Sequence, residues 1–275
     1  MSTIQITFDA VYQAVEAASS QDNADQNKLG EEQLKALEIL PGFHSFLQNV
    51  CLNTSFPLPV RCFAALYLRN VIRPYWDEMA VNGINNDEKA QIRLHLCEMV
   101  KEPNKSLSTE YALIIAEIAD FDFPHEWPSL FTDVSDLVAL VQATGNITEL
   151  NNLLRTVSQI VKQFSTLWFG TGRTGSQAAS SDLVKAMGQI YLQSTQKWIQ
   201  SIDLASMEIG YKALEVTGDL LIKCHPNYNR SEEVKLFFKL SVEYFHRLLH
   251  IYDKQPTEPV AEHICMLGNT YRKLC

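Results

Sequence analysis

The placement of the prolines constrains this chain more than any other feature. Pro41, Pro57, Pro59, Pro74, Pro103, Pro124, Pro128, Pro226, Pro256 and Pro259 fall between stretches of helical apolar periodicity, never inside one. A proline in a helix interior removes a backbone hydrogen bond and clashes with the preceding turn, at a cost of about 3 kcal/mol. Prolines confined to boundaries therefore mark out helices. Between the marks the period is 3.6. Leu150, Leu153, Leu154, Val157, Ile160, Val161, Phe164, Leu167 and Trp168 recur on one helical face. Phe63, Tyr67 and Val71, with Ala64, Leu68 and Ile72, make a second stripe. No run alternates with period two, so an all-α chain is predicted.

Three helix starts share a capping-box signal: Asn85 with Glu88, Asn146 with Glu149 and Asn229 with Glu232. In each, the Asn side chain can accept from a first-turn N–H while the Glu reaches back. Taken two by two, the helices form six antiparallel pairs over 5–40, 42–74, 86–123, 127–165, 179–223 and 231–274. A lone pair leaves one apolar face uncovered, whereas stacked pairs share a continuous core. The repeat length suits HEAT-like repeats, and the expected architecture is an α-solenoid with right-handed superhelical stacking. The last helix ends at Arg272-Lys273-Leu274-Cys275 without a glycine, proline or polar cap. The expectation is a front piece of a longer protein.

Charge and composition narrow the function. The balance of 23 basic against 32 acidic side chains gives a net charge of −9, the wrong sign for bulk attraction to nucleic acid or anionic lipid. No window approaches the roughly 18 uninterrupted apolar residues of a membrane helix, and Met1-Ser2-Thr3-Ile4-Gln5 carries no secretory signal. The 6 cysteines form no CxxC pair and are expected to be reduced core thiols.

Little in the sequence suggests catalysis. Gly170-Thr171-Gly172-Arg173-Thr174-Gly175 matches GxGxxG, but it follows a helix where a dinucleotide site needs a strand, so it reads as a loop. His246 and His250 lie four apart on one helix without the Glu of HExxH or a nearby third ligand. No catalytic residue, cofactor site or metal ligand is assigned. More informative is the stretch 106–154, which holds eight carboxylates and no Lys or Arg. Glu110, Glu117 and Asp120 within it share one helical face, either a solvated helix back or an acidic strip for basic ligand loops. Arg61 and Arg69, with Asn70, are placed on the polar side of a helix over 58–73.

These pieces occur in a telling order. Pro41-Gly42-Phe43 is followed by Val60 to Ile72 (VRCFAALYLRNVI), Tyr75-Trp76, Asp87-Glu88-Lys89 and Ile92-Arg93. Ala116-Glu117-Ile118-Ala119-Asp120 and Phe123-Pro124-His125-Glu126-Trp127-Pro128 come next. The series resembles the N-terminal region of the importin-β (karyopherin) nuclear transport receptors, most of all the importin-eleven subfamily and its fungal counterparts. It covers about 28–130, with the start at 5 as an alternative, and 131–275 reads as further HEAT-like repeats. Where the family commonly has Lys-Asn, this chain has Arg69-Asn70, which keeps the charge.

The resemblance implies outer A helices and inner B helices, the inner ones over about 28–40, 58–73, 107–121 and 149–166. It implies that the B helices bind the GTP form of the GTPase Ran, through a face that includes Glu32, Lys35, Arg61, Arg69, Asn70, Glu117 and Asp120. It further implies basic protein cargo, FG-nucleoporins and shuttling between nucleus and cytoplasm, with no direct nucleic-acid binding and no membrane insertion. Trp127 and Pro128 are expected to wedge between successive pairs. An export receptor of the same family and a HEAT scaffold unrelated to transport are the alternatives.

Overall fold

The computed structural model describes residues 6–20, 22–77, 79–163, 187–191, 193–194, 196–197, 204–224 and 232–274. Among the described residues there are twelve named helices and no strand. They are α1 (Phe8–Ala18), α2 (Ala24–Leu37), α3 (Phe43–Leu52), α4 (Leu58–Trp76), α5 (Asn86–Leu94) and α6 (Leu96–Met99). These are followed by α7 (Lys105–Asp122), α8 (Leu130–Thr144), α9 (Ile147–Gln163), α10 (Leu204–Cys224), α11 (Glu232–Lys254) and α12 (Glu258–Leu274). The chain divides into two compact units, one up to Phe121 and one from Asp122 onward. In the first, α1 packs on α2 and α3 on α4, with α3 also against α1 and α5. In the second, α8 packs on α9, α9 on α10, and α12 on both α10 and α11. The GxGxxG run, Phe164, Leu167, Trp168 and Asn229 lie outside the described residues.

Most prolines stand at boundaries, and the exceptions have a local explanation. Pro59 and Pro259 are the second residues of α4 and α12, where a first-turn N–H has no intrahelical partner to lose. Pro74 lies inside α4, contrary to the boundary expected there. It falls in the last turn, and the carbonyl it would have bonded belongs to the exposed Asn70, so water can take that place.

Helix α1 and helix α2 come together at Gly30. A Cβ there would sit 2.3 Å from the Ala18 backbone nitrogen, so only a glycine permits this approach. Nearby, Asn27 Nδ2 donates to the Ala18 carbonyl and covers an acceptor that the end of α1 leaves open. Val11, Val15 and Leu34 are fully buried beneath the crossing.

Glu88 departs from the capping-box pattern. Asn85 does cap α5, with its Oδ1 accepting from Glu88 N at 2.9 Å. The Glu88 carboxylate, however, crosses to α3, where it accepts from Gly42 N at 2.7 Å and Ser45 N at 3.0 Å. Gly42, at φ 92°, has no side chain to cap α3, and a buried anion at the helix N-terminus takes that role. Asn146 does follow the pattern: its Oδ1 accepts from Glu149 N, and its Nδ2 donates to the Glu149 carboxylate.

Two other expectations change. The Trp127 indole N–H donates to Asp133 Oδ2 in the first turn of α8 at 2.8 Å, and Pro128 is exposed. The buried aromatic contact there is Phe123 on Phe131, edge to face at 5.1 Å. The thiols are not all in the core: Cys51 is buried, but Cys97 and Cys265 are exposed. Both fall on helical surfaces that neither proline nor period distinguishes.

Burial holds His44 and His263 down to about 4, because it penalises the imidazolium. In the unfolded chain both titrate near 6.5. Between those values only the unfolded state takes up the protons, so stability is complete above pH 6.5 and falls as the pH drops towards 4. Each histidine contributes about 1.4 kcal/mol per pH unit across that window. We predict that the urea midpoint falls from pH 7 to pH 5 and that His44→Gln reduces this fall. We also predict that Gly30→Ala costs about 2 kcal/mol or more, read as a lower melting temperature, because backbone must move to admit the methyl.

Candidate functional site

The residues singled out from the sequence separate into two sets. Arg61 belongs to the core. Only 7% exposed, it donates from Nε to the Cys51 carbonyl at 2.8 Å and from Nη2 to Glu102, itself buried. Tyr111 OH of α7 donates to the same carbonyl at 2.6 Å. Glu102 Oε1 accepts from Asn104 N, and Asn104 Oδ1 in turn caps α7 by accepting from Leu107 N. A helical step of eight residues ends about 80° from its starting azimuth, and here Arg61 meets the end of α3 while Arg69 reaches Glu110 of α7.

The others lie on α2, α4 and α7 in two groups, with Glu32 apart from both. Lys35 and Asn70 line a groove of about 340 Å³ between α2 and α4, together with Glu31, Phe63, Leu66 and Tyr67. Glu32 is exposed on α2 but is not in its lining. The floor is apolar: Phe63 and Tyr67 stack at 6.2 Å, and Leu66 is exposed beside them. Tyr67 is fixed by a 2.8 Å bond from its OH to Glu38 Oε2, and Tyr75 OH donates to Glu38 Oε1 at 3.0 Å. Burial first, and then the Glu38 carboxylate, push the Tyr67 phenol well above its usual value, so it remains a hydrogen-bond donor.

Across α4 from the groove runs an ion-pair ladder. Arg69 Nη1 meets Glu110 Oε2 at 2.7 Å. Arg73 Nε pairs with Glu117, and its Nη2 lies 3.9 Å from Asp120 Oδ2. The Arg73 guanidinium also stands 5.7 Å from the centre of the Phe121 ring. The carboxylates read as either a solvated helix back or a bare acidic strip are neither. Glu117 and Asp120 are only 16% and 15% exposed and are offset by Arg73 from α4, itself 60% exposed.

Glu31, Phe63, Leu66, Tyr67 and Arg73 were not assigned from the sequence. Phe63, Leu66, Tyr67 and Asn70 follow i, i+3, i+4, i+7 spacing and make one stripe. Phe63 and Tyr67 belong to the apolar stripe read from the period, and Leu66 falls outside it. Arg73 was hidden by Pro74, which placed the helix end at residue 73. His246 and His250 are both exposed, and among the described residues no group of three His, Cys, Asp or Glu could hold a metal ion. No described helix is long and apolar enough to cross a membrane. An aromatic-floored groove beside a ladder of exchangeable ion pairs is a surface suited to holding another macromolecule.

Residues 30–102 match the importin-beta N-terminal domain. Over 244 residues, 86% of this chain, the sequence is 35% identical to the importin beta-like protein KAP120 of Saccharomyces cerevisiae. It is 28% identical to human importin-11 over 82% of the chain. The solved structure of Lph2, described as a bidirectional nuclear transport receptor of S. cerevisiae, superimposes on 95% of the chain with a TM-score of 0.87 and 32% identity. The chain belongs to the importin-β family. Its helix pairs are karyopherin HEAT repeats, a likeness in fold that extends at 19% identity to the exportin Cse1, with a TM-score of 0.74. The chain spans about a quarter of the length of these relatives, 24% of KAP120 and of importin-11 and 26% of the Lph2 chain.

Within this karyopherin segment Arg61 and Asn70 have different roles. Removing Arg61 leaves Glu102 buried without its cation, and such losses cost about 3–5 kcal/mol. We expect Arg61→Ala to lower the urea unfolding free energy by that amount, and Glu102→Gln in the same chain to restore part of it. Asn70→Ala, on the exposed stripe, should stay within about 0.5 kcal/mol of the parent.

Proposed function

We propose that this chain is the Ran-binding and repeat-bearing front of a nuclear transport receptor of the importin type. Residues 28–130 form its family-specific N-terminal region and 131–275 its next HEAT repeats. The similarity to Lph2 over 95% of the chain at 32% identity carries this reading. The match at 30–102 supports it, since that stretch contains α4 and most of α2, the helices that form the groove.

Here the GTP form of Ran docks on the face made by α2, α4 and α7. Glu32, Lys35 and Asn70 contact it around the groove, and Arg69, Glu117 and Asp120 through the ion-pair ladder. Arg61 supports the face from beneath. Basic cargo and FG-nucleoporins bind the complete receptor, which shuttles through the nuclear pore. The work is done by coupled binding rather than catalysis. Cargo and Ran·GTP disfavour each other on one receptor, and a coupling of about 3 kcal/mol changes affinity about 150-fold. Solenoid repeats suit this, because each contacts only its neighbours and small rotations accumulate.

Export is the second reading, in which cargo and Ran·GTP bind together; the description of Lph2 as bidirectional favours keeping it. The chain should bind Ran loaded with a non-hydrolysable GTP analogue and ignore Ran·GDP in a calorimetric titration. Equal binding of both forms, or of neither, would reject the reading. With the complete receptor, release of cargo on adding Ran·GTP marks import and retention marks export.

A further inference from the structure

We infer that Arg73 is a specificity-determining residue of the α2–α4–α7 face, an internal counter-ion that a basic partner must displace to reach Glu117 and Asp120. The inference rests on the reading of that face as a docking surface and says which partners it admits.

The two carboxylates lie three residues apart on one helix and are both largely covered. Together they would present two like charges to one side of α7. Arg73 reaches them from α4, its Nε paired with Glu117 and its Nη2 3.9 Å from Asp120 Oδ2, an ion-pair distance too long for a hydrogen bond. Its 60% exposure means that the side chain is held by these contacts and by Phe121, not by a surrounding core. The cation is thus the exposed member of the pair and the carboxylates the covered ones, so a ligand cation reaches Glu117 and Asp120 by taking the place of the arginine.

The exchange selects partners. A uniformly basic ligand meets the positive charges of Arg69 and Arg73 before it meets the carboxylates. A ligand that offers a basic side chain to Glu117 and Asp120, with an acceptor beside it for the displaced Arg73, trades one set of pairs for another. The face therefore discriminates against plain polycations although the whole chain carries a net charge of −9.

The test uses fluorescein-labelled octalysine as the polycation and Ran·GTP as the proposed partner, each titrated by anisotropy against the whole chain. Arg73→Gln should bind octalysine about fivefold more tightly than the parent, a change of about 1 kcal/mol. Arg73→Gln combined with Glu117→Gln and Asp120→Asn should lose that gain, and 0.5 M salt should erase it in all chains. Equal octalysine affinity for the parent and Arg73→Gln, or a gain that survives in the triple variant, overturns the inference. In the parent chain the Arg73 Nε–H resonance should shift on saturation with octalysine at low salt; an unmoved resonance also overturns it. The octalysine arm involves no GTPase, so an absence of Ran·GTP binding beside an intact fivefold gain would reject the transport reading and leave the role of Arg73 standing.

Discussion

The Cys51 carbonyl, at the C-terminal end of α3, accepts hydrogen bonds from Arg61 of α4 and Tyr111 of α7. Helix ends leave such carbonyls without intrahelical partners, and their partial negative charge suits a guanidinium. Arg61 also pairs with Glu102, which bonds the backbone of Asn104, the residue that caps α7. One buried network thus fixes where α4 and α7 lie relative to α3. The groove and the ladder depend on that placement, because their side chains are carried by α2, α4 and α7.

The two sides of α4 show a division of work that composition hides. Beneath it, charge is buried, paired and costly to disturb. On its other side, Arg69 and the exposed Arg73 meet the more covered carboxylates of Glu110, Glu117 and Asp120. The buried Arg61–Glu102 pair holds α4 against its neighbours, whereas the outer pairs turn the Arg73 cation to solvent. Glu38 adds to the stiffness by holding Tyr67 and Tyr75 together, so the aromatic floor of the groove is set before any partner arrives.

Some of the site was legible beforehand. Lys35 and Asn70 come together in the groove, and Arg69 joins the carboxylates of α7 on the neighbouring flank. Arg61 was not separable from Arg69, since both are arginines on one helix and only a packed neighbour shows which is buried. Glu88 matched a capping box, yet its carboxylate caps α3, 43 and 46 residues away in sequence. The stretch 106–154 contained no cation to offset its acids, and the cations came from α4 instead.

The sequence by itself determined the class of fold, because helical period, caps and proline positions are local properties that each segment carries alone. It also carried the family, since the order and spacing of short motifs survive in one dimension. Tertiary structure alone decided which charges are free to act. A side chain's exposure and counter-ion depend on helices that pack against it from elsewhere in the chain, and the energy of a charge changes with both.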